Sequence, residues 1–221
     1  MTRYVEFHAH SAYSFLDGAS QPEELVARAV ELGYEALALT DHNGLYGSLE
    51  FAHAAKALGL RPITGCELTL EGGSHLTVLV ESRQGYSNLC RLLTRTHAHT
   101  RPPGKERELR PPALPIQELI ERNEGLVCLS GCARHGLAVR EPNAARELAR
   151  AFGPDRFFVE LQRPYERGDE RRNAALRGLA ADHQRGQHEH LLARDFRLQQ
   201  LQLGPHLLIE LQRAFVGGFH G

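Results

Sequence analysis

The sequence predicts an α/β fold, a distorted, TIM-like β/α barrel left incomplete at its C-terminal end. Short apolar runs alternate with amphipathic stretches from Tyr4 to about Ala181, the rhythm of strands and helices that builds a parallel sheet. Four of those runs lead directly into residues able to hold a metal, at His8-Ala9-His10, Thr40-Asp41-His42-Asn43, Gly65-Cys66-Glu67 and Leu129-Ser130-Gly131-Cys132. A β/α barrel gathers the C-terminal ends of its strands on one face, so residues far apart in sequence can share one site there. The rhythm fails from about Asp182, where Gln and His become frequent and β-branched residues nearly vanish. The expected organisation is one domain over residues 1–181 and a divergent tail over residues 182–221.

Tyr4-Val5-Glu6-Phe7 reads as the first strand. The next helix starts at Ser20, where Glu23 completes a capping box and Pro22 sits in the first turn, and it stops at Gly33. Leu25, Val26, Ala29, Val30 and Leu32 share its apolar face. Ala36-Leu37-Ala38-Leu39 is apolar throughout, as a strand covered on both faces requires. A second helix, Leu45 to Leu58, stops at Gly59 and feeds a strand from Leu60 to Thr64. Leu68–Leu70 and His75–Val80 flank Glu71-Gly72-Gly73-Ser74 and read as a hairpin, the glycines supplying the positive φ of a tight turn. Asn88 to His97 reads as helix, and Arg101 to Pro112, rich in proline and charge, as an exposed loop. A helix from Ile116 to Arg122, a strand from Leu126 to Leu129, a helix from Ala144 to Phe152 and a strand from Phe157 to Leu161 resume the order. One more helix begins after Arg172. In the tail, Gly204-Pro205 interrupts the leucine-rich stretch from Leu201 to Phe215.

With 221 residues and 42% hydrophobic content the chain can bury a core of its own. Its formal charge of -1 gives no basic surface from which nucleic-acid binding could be read. Cys66, Cys90, Cys128 and Cys132 mostly lie in or beside apolar runs, which suits reduced thiols and a cytoplasmic location. Met1 to Ser20 has no continuous apolar segment and no later stretch is long enough to span a bilayer, so neither secretion nor a membrane partner is expected.

His8 and His10 sit at strand spacing, which points alternate side chains to one side. His42 and Asp41 follow a buried strand, although Asp41 could equally cap the next helix. Glu67 could bridge two cations or be a solvated hairpin residue, and Cys132 would be a soft zinc ligand. His53, His75 and His135 have no supporting pattern and read as structural. The chain has no Walker-type glycine loop, no Gly-x-Ser-x-Gly elbow and no Cys-x-x-Cys pair, which leaves metal-assisted hydrolysis as the favoured chemistry. Mixed imidazole, carboxylate and thiol donors suit zinc or manganese, which lower the pKa of the water they hold to roughly 7.

The stretch His8 to Gly18, with Leu39-Thr40-Asp41-His42-Asn43, Gly65-Cys66-Glu67 and Leu129-Ser130-Gly131-Cys132, resembles the PHP (polymerase and histidinol phosphatase) domain. Gly85 to Arg95 and Arg156 to Gln162 are similar to the N-terminal PHP domains of bacterial C-family DNA polymerases, the polymerase III alpha subunits and above all their error-prone subgroup. The resemblance runs from about Tyr4 to Ala180. It implies a PHP-type barrel with up to three divalent ions, zinc or manganese, held by His8, His10, Asp17, His42, Glu67, His97 and Cys132. Asp41 and His42 are the catalytic candidates it supplies.

The family closes its cleft with an Asp-x-His motif after the helix that begins near Arg172. This chain has no such motif, Asp182-His183 and His188-Glu189-His190 being loose substitutes. It also lacks the palm, fingers and thumb and their magnesium-binding carboxylates, so DNA synthesis by this chain alone is not expected. The resemblance thus implies an N-terminal fragment of a polymerase serving DNA replication and repair. DNA and replication or repair proteins would be its partners through that parent, and its own role phosphoester cleavage or bracing of the polymerase. The alternatives are a free-standing phosphoesterase similar to histidinol phosphatase, and a non-catalytic remnant.

Overall fold

The computed structural model describes residues 5–102 and 109–185. The chain runs β1 (Glu6–Ala9), α1 (Pro22–Glu31), β2 (Ala36–Leu39), α2 (Ser48–Leu58), β3 (Arg61–Thr69), β4 (His75–Val80) and α3 (Arg83–His97). It continues with α4 (Ile116–Glu121), β5 (Leu126–Leu129), α5 (Leu137–Arg140), α6 (Pro142–Phe152), β6 (Phe157–Phe158) and α7 (Asp169–Arg185). The tail expected to diverge lies outside the described residues from residue 186 onward.

The six strands form one curled sheet in chain order. β1, β2 and β3 pair in parallel, β4 is antiparallel to both β3 and β5, and β5 and β6 are parallel. All strands but β4 therefore point the same way. Alternate residues of β2 show the layering: Ala36 and Ala38 join Phe7, Ile63, Leu79, Val127 and Leu129 in a core that contains no helix residue, the inside of the curl. Leu37 and Leu39 instead pack with Val26 and Ala29 of α1 and Phe51 and Ala55 of α2. Across the rest of the outer face, Leu68, Leu76 and Val78 meet Leu89, Leu92, Leu148 and Phe152 of α3 and α6. Each such fully buried side chain contributes roughly 1.5–3 kcal/mol.

Several elements differ from the sequence reading. Tyr4, the expected first residue of the strand, lies outside the described residues, and β1 runs two residues past the expected Phe7, placing His8 inside the strand. The α1 cap is Gln21 rather than Ser20: its backbone N–H donates to Glu24 at 2.8 Å, and Pro22, whose fixed φ suits the first helical position, sets the start. Val30 and Leu32, expected on the buried face of α1, are exposed. The two expected strands around Gly65 are one nine-residue strand, β3, whose first half pairs with β2 and whose second half pairs with β4. Gly65 lies at the exchange, where a Cβ would meet Val78 O at 2.7 Å and Thr40 Cγ2 at 2.8 Å. α3 starts five residues before the expected Asn88, capped by Ser82, whose hydroxyl accepts from the Gly85 N–H at 3.1 Å. The short α5 carries no period long enough to read.

β6 is only two residues long because Ser130, leaving β5, takes over the pairing: its N–H donates to Phe158 O at 2.9 Å and its hydroxyl accepts from the Glu160 N–H at 2.9 Å. That turn directs Glu160 across the mouth of the curl to His8 of β1, 2.8 Å away. The two edge strands thus approach without pairing.

Candidate metal centre

The centre of the cluster is Glu67, only 1% exposed, near the end of β3. Its position is set by backbone: the Glu67 N–H donates to Thr40 O at 3.2 Å and its carbonyl accepts from the Asn43 N–H at 2.8 Å, so the loop after β2 is pinned alongside it. Four imidazoles face its carboxylate. His8 Nε2 is in hydrogen-bond contact with Oε2, His75 Nδ1 lies 2.5 Å from Oε1, His10 Nε2 3.3 Å from Oε2 and His42 Nδ1 3.6 Å from Oε1. The rings of His8, His10, His42 and His75 form a continuous row, with centroid separations of 5.1, 4.5 and 5.4 Å. Asp17, on the loop after β1, bonds His10 Nδ1 and lies 3.3 Å from His42 Nε2.

His75 starts β4, and because that strand alone runs backwards its first residue shares the rim with the last residues of its neighbours. Its place is held from the loop after β5: the His75 N–H donates to His135 O at 2.7 Å, and Gly131, at φ +91°, passes so close that a Cβ would meet His75 O at 2.2 Å. A bulky residue cannot occupy that turn.

Asp41 faces away from this row. Its buried carboxylate accepts from the Ser11 N–H, the Ser11 hydroxyl and the Ser14 hydroxyl, each at 2.7 Å, which ties down the loop that carries Asp17. His97 does not join the cluster either: its Nε2 donates to the Asn43 carbonyl at 2.7 Å, bracing the turn after His42. Cys132 accepts from the His135 N–H at 3.3 Å and belongs to none of the ligand groups found among the described residues. Two residues with no such role in the sequence reading do reach the row, His75 and Glu160. Glu160 carried the signal that singled out Glu67, an acid just beyond an apolar strand. His75 carried none unless the direction of its strand was considered.

Charge and burial act against each other here. Burial alone would lower His8, but the hydrogen bonds and charges of Glu160 and Glu67 outweigh it and hold the ring well above its ordinary value. Burial likewise works to lower His10, and Glu67 raises it. Glu67 is itself held far below the usual carboxylate range, its burial overcome by the adjacent imidazoles of His10, His75 and His8. Asp17 is lowered too, mainly by His10 working against burial. His42 goes down, through burial and the neighbouring charges of His10 and His75, partly opposed by Glu67. The cluster therefore holds a buried carboxylate whose charge is balanced by protons on its imidazoles.

The donor set fits divalent ions. Three overlapping groups, His8 with His10 and Glu67, His10 with Asp17 and His42, and His42 with Glu67 and His75, each bring their donor atoms within 4.8 Å of one another. His10 Nε2 is buried without a hydrogen-bond partner, although Glu67 is close. An unpartnered buried imidazole nitrogen beside a carboxylate matches the needs of a divalent ion.

A family model described as the PHP domain matches residues 6–164. Error-prone DNA polymerases of Symbiobacterium thermophilum and Mycobacterium tuberculosis are each 42% identical over 193 and 196 residues; each match covers 80% of this chain and 18% and 17% of those proteins. The chain thus spans less than a fifth of the length of the curated relatives it matches. Among solved structures, a candidate metal-dependent phosphoesterase from Bifidobacterium adolescentis has a TM-score of 0.58 at 17% identity, over 83% of this chain and 85% of that one. An amidohydrolase from Chromobacterium violaceum has a TM-score of 0.51 at 18% identity, over 78% and 81% of the two chains. Likenesses at such identity speak for the fold, a half-closed PHP-type barrel. The family model, matching well over half of the residues, settles the kinship: the chain belongs to the PHP domain family.

Proposed function

We propose that the row of imidazoles around Glu67 binds two or three divalent ions and hydrolyses phosphoesters. The carrying observation is the buried Glu67 carboxylate with four imidazoles converging on it, one of them with an unpartnered nitrogen. His8, His10, Asp17, His42, Glu67 and His75 would hold the ions, with zinc or manganese favoured by the donor types. Bound ions would supply Lewis acidity toward a phosphoryl oxygen and lower the pKa of the attacking water. His42, less basic than an ordinary histidine, keeps a lone pair near neutral pH, as a ligand or a base requires. Asp41 acts at one remove, holding the Ser11 to Asp17 loop in place. His97 and Cys132, offered by resemblance, stand outside the ligand groups and have a bracing role in this reading.

The relatives named error-prone DNA polymerase support a reading in which the domain works on DNA, as a module of a polymerase in replication or repair. The substrate class that follows is a phosphodiester or a phosphorylated DNA end. Inductively coupled plasma mass spectrometry of dialysed protein tests metal binding, and a generic diester beside an end-labelled oligonucleotide tests the chemistry. Two or three retained ions, with hydrolysis lost in Glu67→Gln, are expected. A dialysed protein without bound metal would overturn the proposal.

A further inference from the structure

We infer that Glu160 is a positioning residue that fixes which nitrogen of His8 is offered to the metal centre, an inference that rests on His8 being a ligand as proposed above. The two residues stand 152 positions apart and meet only because the sheet curls. Both oxygens of the Glu160 carboxylate approach His8 Nδ1, at 2.8 and 2.9 Å, while Nε2 on the opposite side of the ring faces Glu67. A carboxylate can only accept, so Nδ1 keeps its hydrogen against Glu160, and a cation at Nε2 would take the place of the hydrogen that Nε2 shares with Glu67. Turning the ring over would put carbon against both carboxylates and forfeit both bonds.

Glu160 is itself held on several sides. Its N–H donates to Ser130 Oγ at 2.9 Å, and the Gln162 side-chain amide donates to its Oε1. Gln162 is in turn fixed by the Ala133 N–H, at 2.9 Å to its Oε1, and by Asn173 Nδ2, at 3.1 Å to its carbonyl. With His8 and Gln162 occupying its oxygens, and with no place in the three ligand groups, Glu160 serves as an orienting partner rather than a ligand. Carboxylates in this relation to a ligating imidazole fix the ring and raise its basicity, and removing one weakens metal binding by about 10–100-fold.

The test compares wild type with Glu160→Leu, Glu160→Gln and Gln162→Ala, measuring cobalt and zinc affinity by chelator competition. The visible spectrum of the cobalt form and the melting temperature in excess chelator complete the comparison. Glu160→Leu is expected to lose about 10–100-fold in affinity and to alter the cobalt spectrum. Glu160→Gln, whose amide oxygen can still accept from Nδ1, should recover part of the affinity and the wild-type spectrum. Gln162→Ala, which loosens Glu160 but leaves its carboxylate available to His8, should lose less affinity than Glu160→Leu. Unchanged affinity in Glu160→Leu, or an equal loss in Gln162→Ala, would overturn the inference. If Glu160→Leu fails to fold, wild-type affinity together with a changed spectrum in Glu160→Gln would overturn it. Absence of metal from wild type would instead sink the underlying site assignment, so the two failures are distinct.

Discussion

The Ser14 hydroxyl donates a hydrogen bond to Asp41 at 2.7 Å and accepts one from the His42 N–H at 3.1 Å, so one serine couples the buried acid after β2 to the backbone of a candidate ligand. Asp41→Ala would leave three buried donors unpaired. We expect a loss on the order of 3 kcal/mol in urea unfolding, even in excess chelator. Weaker metal retention should accompany it, because the loop bearing Asp17 is no longer tied. Wild-type stability in this variant would show that the loop is held by other means.

His75 and His97 separate cleanly in the structure, one against Glu67 and the other against the Asn43 carbonyl. His75→Ala should lower the metal content of dialysed protein. His97→Ala should leave the metal in place and cost about 1 kcal/mol of stability through the lost hydrogen bond. The reverse pattern would restore His97 to the ligand set that the family resemblance implied.

Gly65→Ala tests the exchange point of β3. The added methyl would press on Val78 O, Thr40 Cγ2 and Leu79 Cδ2, all within 2.8 Å. Overpacking of this kind typically costs about 1–3 kcal/mol. A melting temperature equal to wild type would mean that the two halves of β3 can shift apart.

In the metal-free protein, pH should act through the same cluster. Glu67, lowered on folding, contributes stability that is present above the unfolded glutamate pKa of about 4.3 and is lost as pH falls through its folded value. His8 and His10, raised on folding, contribute stability that is present below the unfolded histidine pKa of about 6.5 and is lost as pH rises through their folded values. His42, lowered, works the other way below about 6.5 and blunts the effect. Chelator-treated protein should therefore melt highest between about pH 4.3 and 6.5. Metal should move that optimum upward, since an ion competes with the imidazole protons. An optimum for the chelated protein above pH 8 would contradict the charge balance described here.

Much of the site was legible because it follows strand direction. His8, His10, His42 and Glu67 each sit at or just beyond an apolar run, and the fold gathers them. Strand ends gather side chains on one rim only where strands are parallel, so that pattern passes over His75, which begins a strand, although the hairpin that reverses β4 is itself readable from Glu71-Gly72-Gly73-Ser74. Glu160 is hidden differently: the sequence makes it an ordinary member of a five-residue strand, whereas pairing stops at Phe158. His97 is the last residue of α3 and points at backbone, which no spacing in the sequence encodes. Asp41 and His42 are neighbours with divergent duties because successive residues leaving a strand face opposite sides.

The reversal of β4 also divides the centre by the length of chain each contact must close. Glu67 and His75 are eight residues apart and come together within one hairpin, whereas His8 and Glu160 stand 152 positions apart and need the chain between them to be in place. Loop closure favours the short connection, so the hairpin half can assemble while the sheet is still open. An ion captured there would meet a partial site first, and the arrival of His8 would report that the curl has closed.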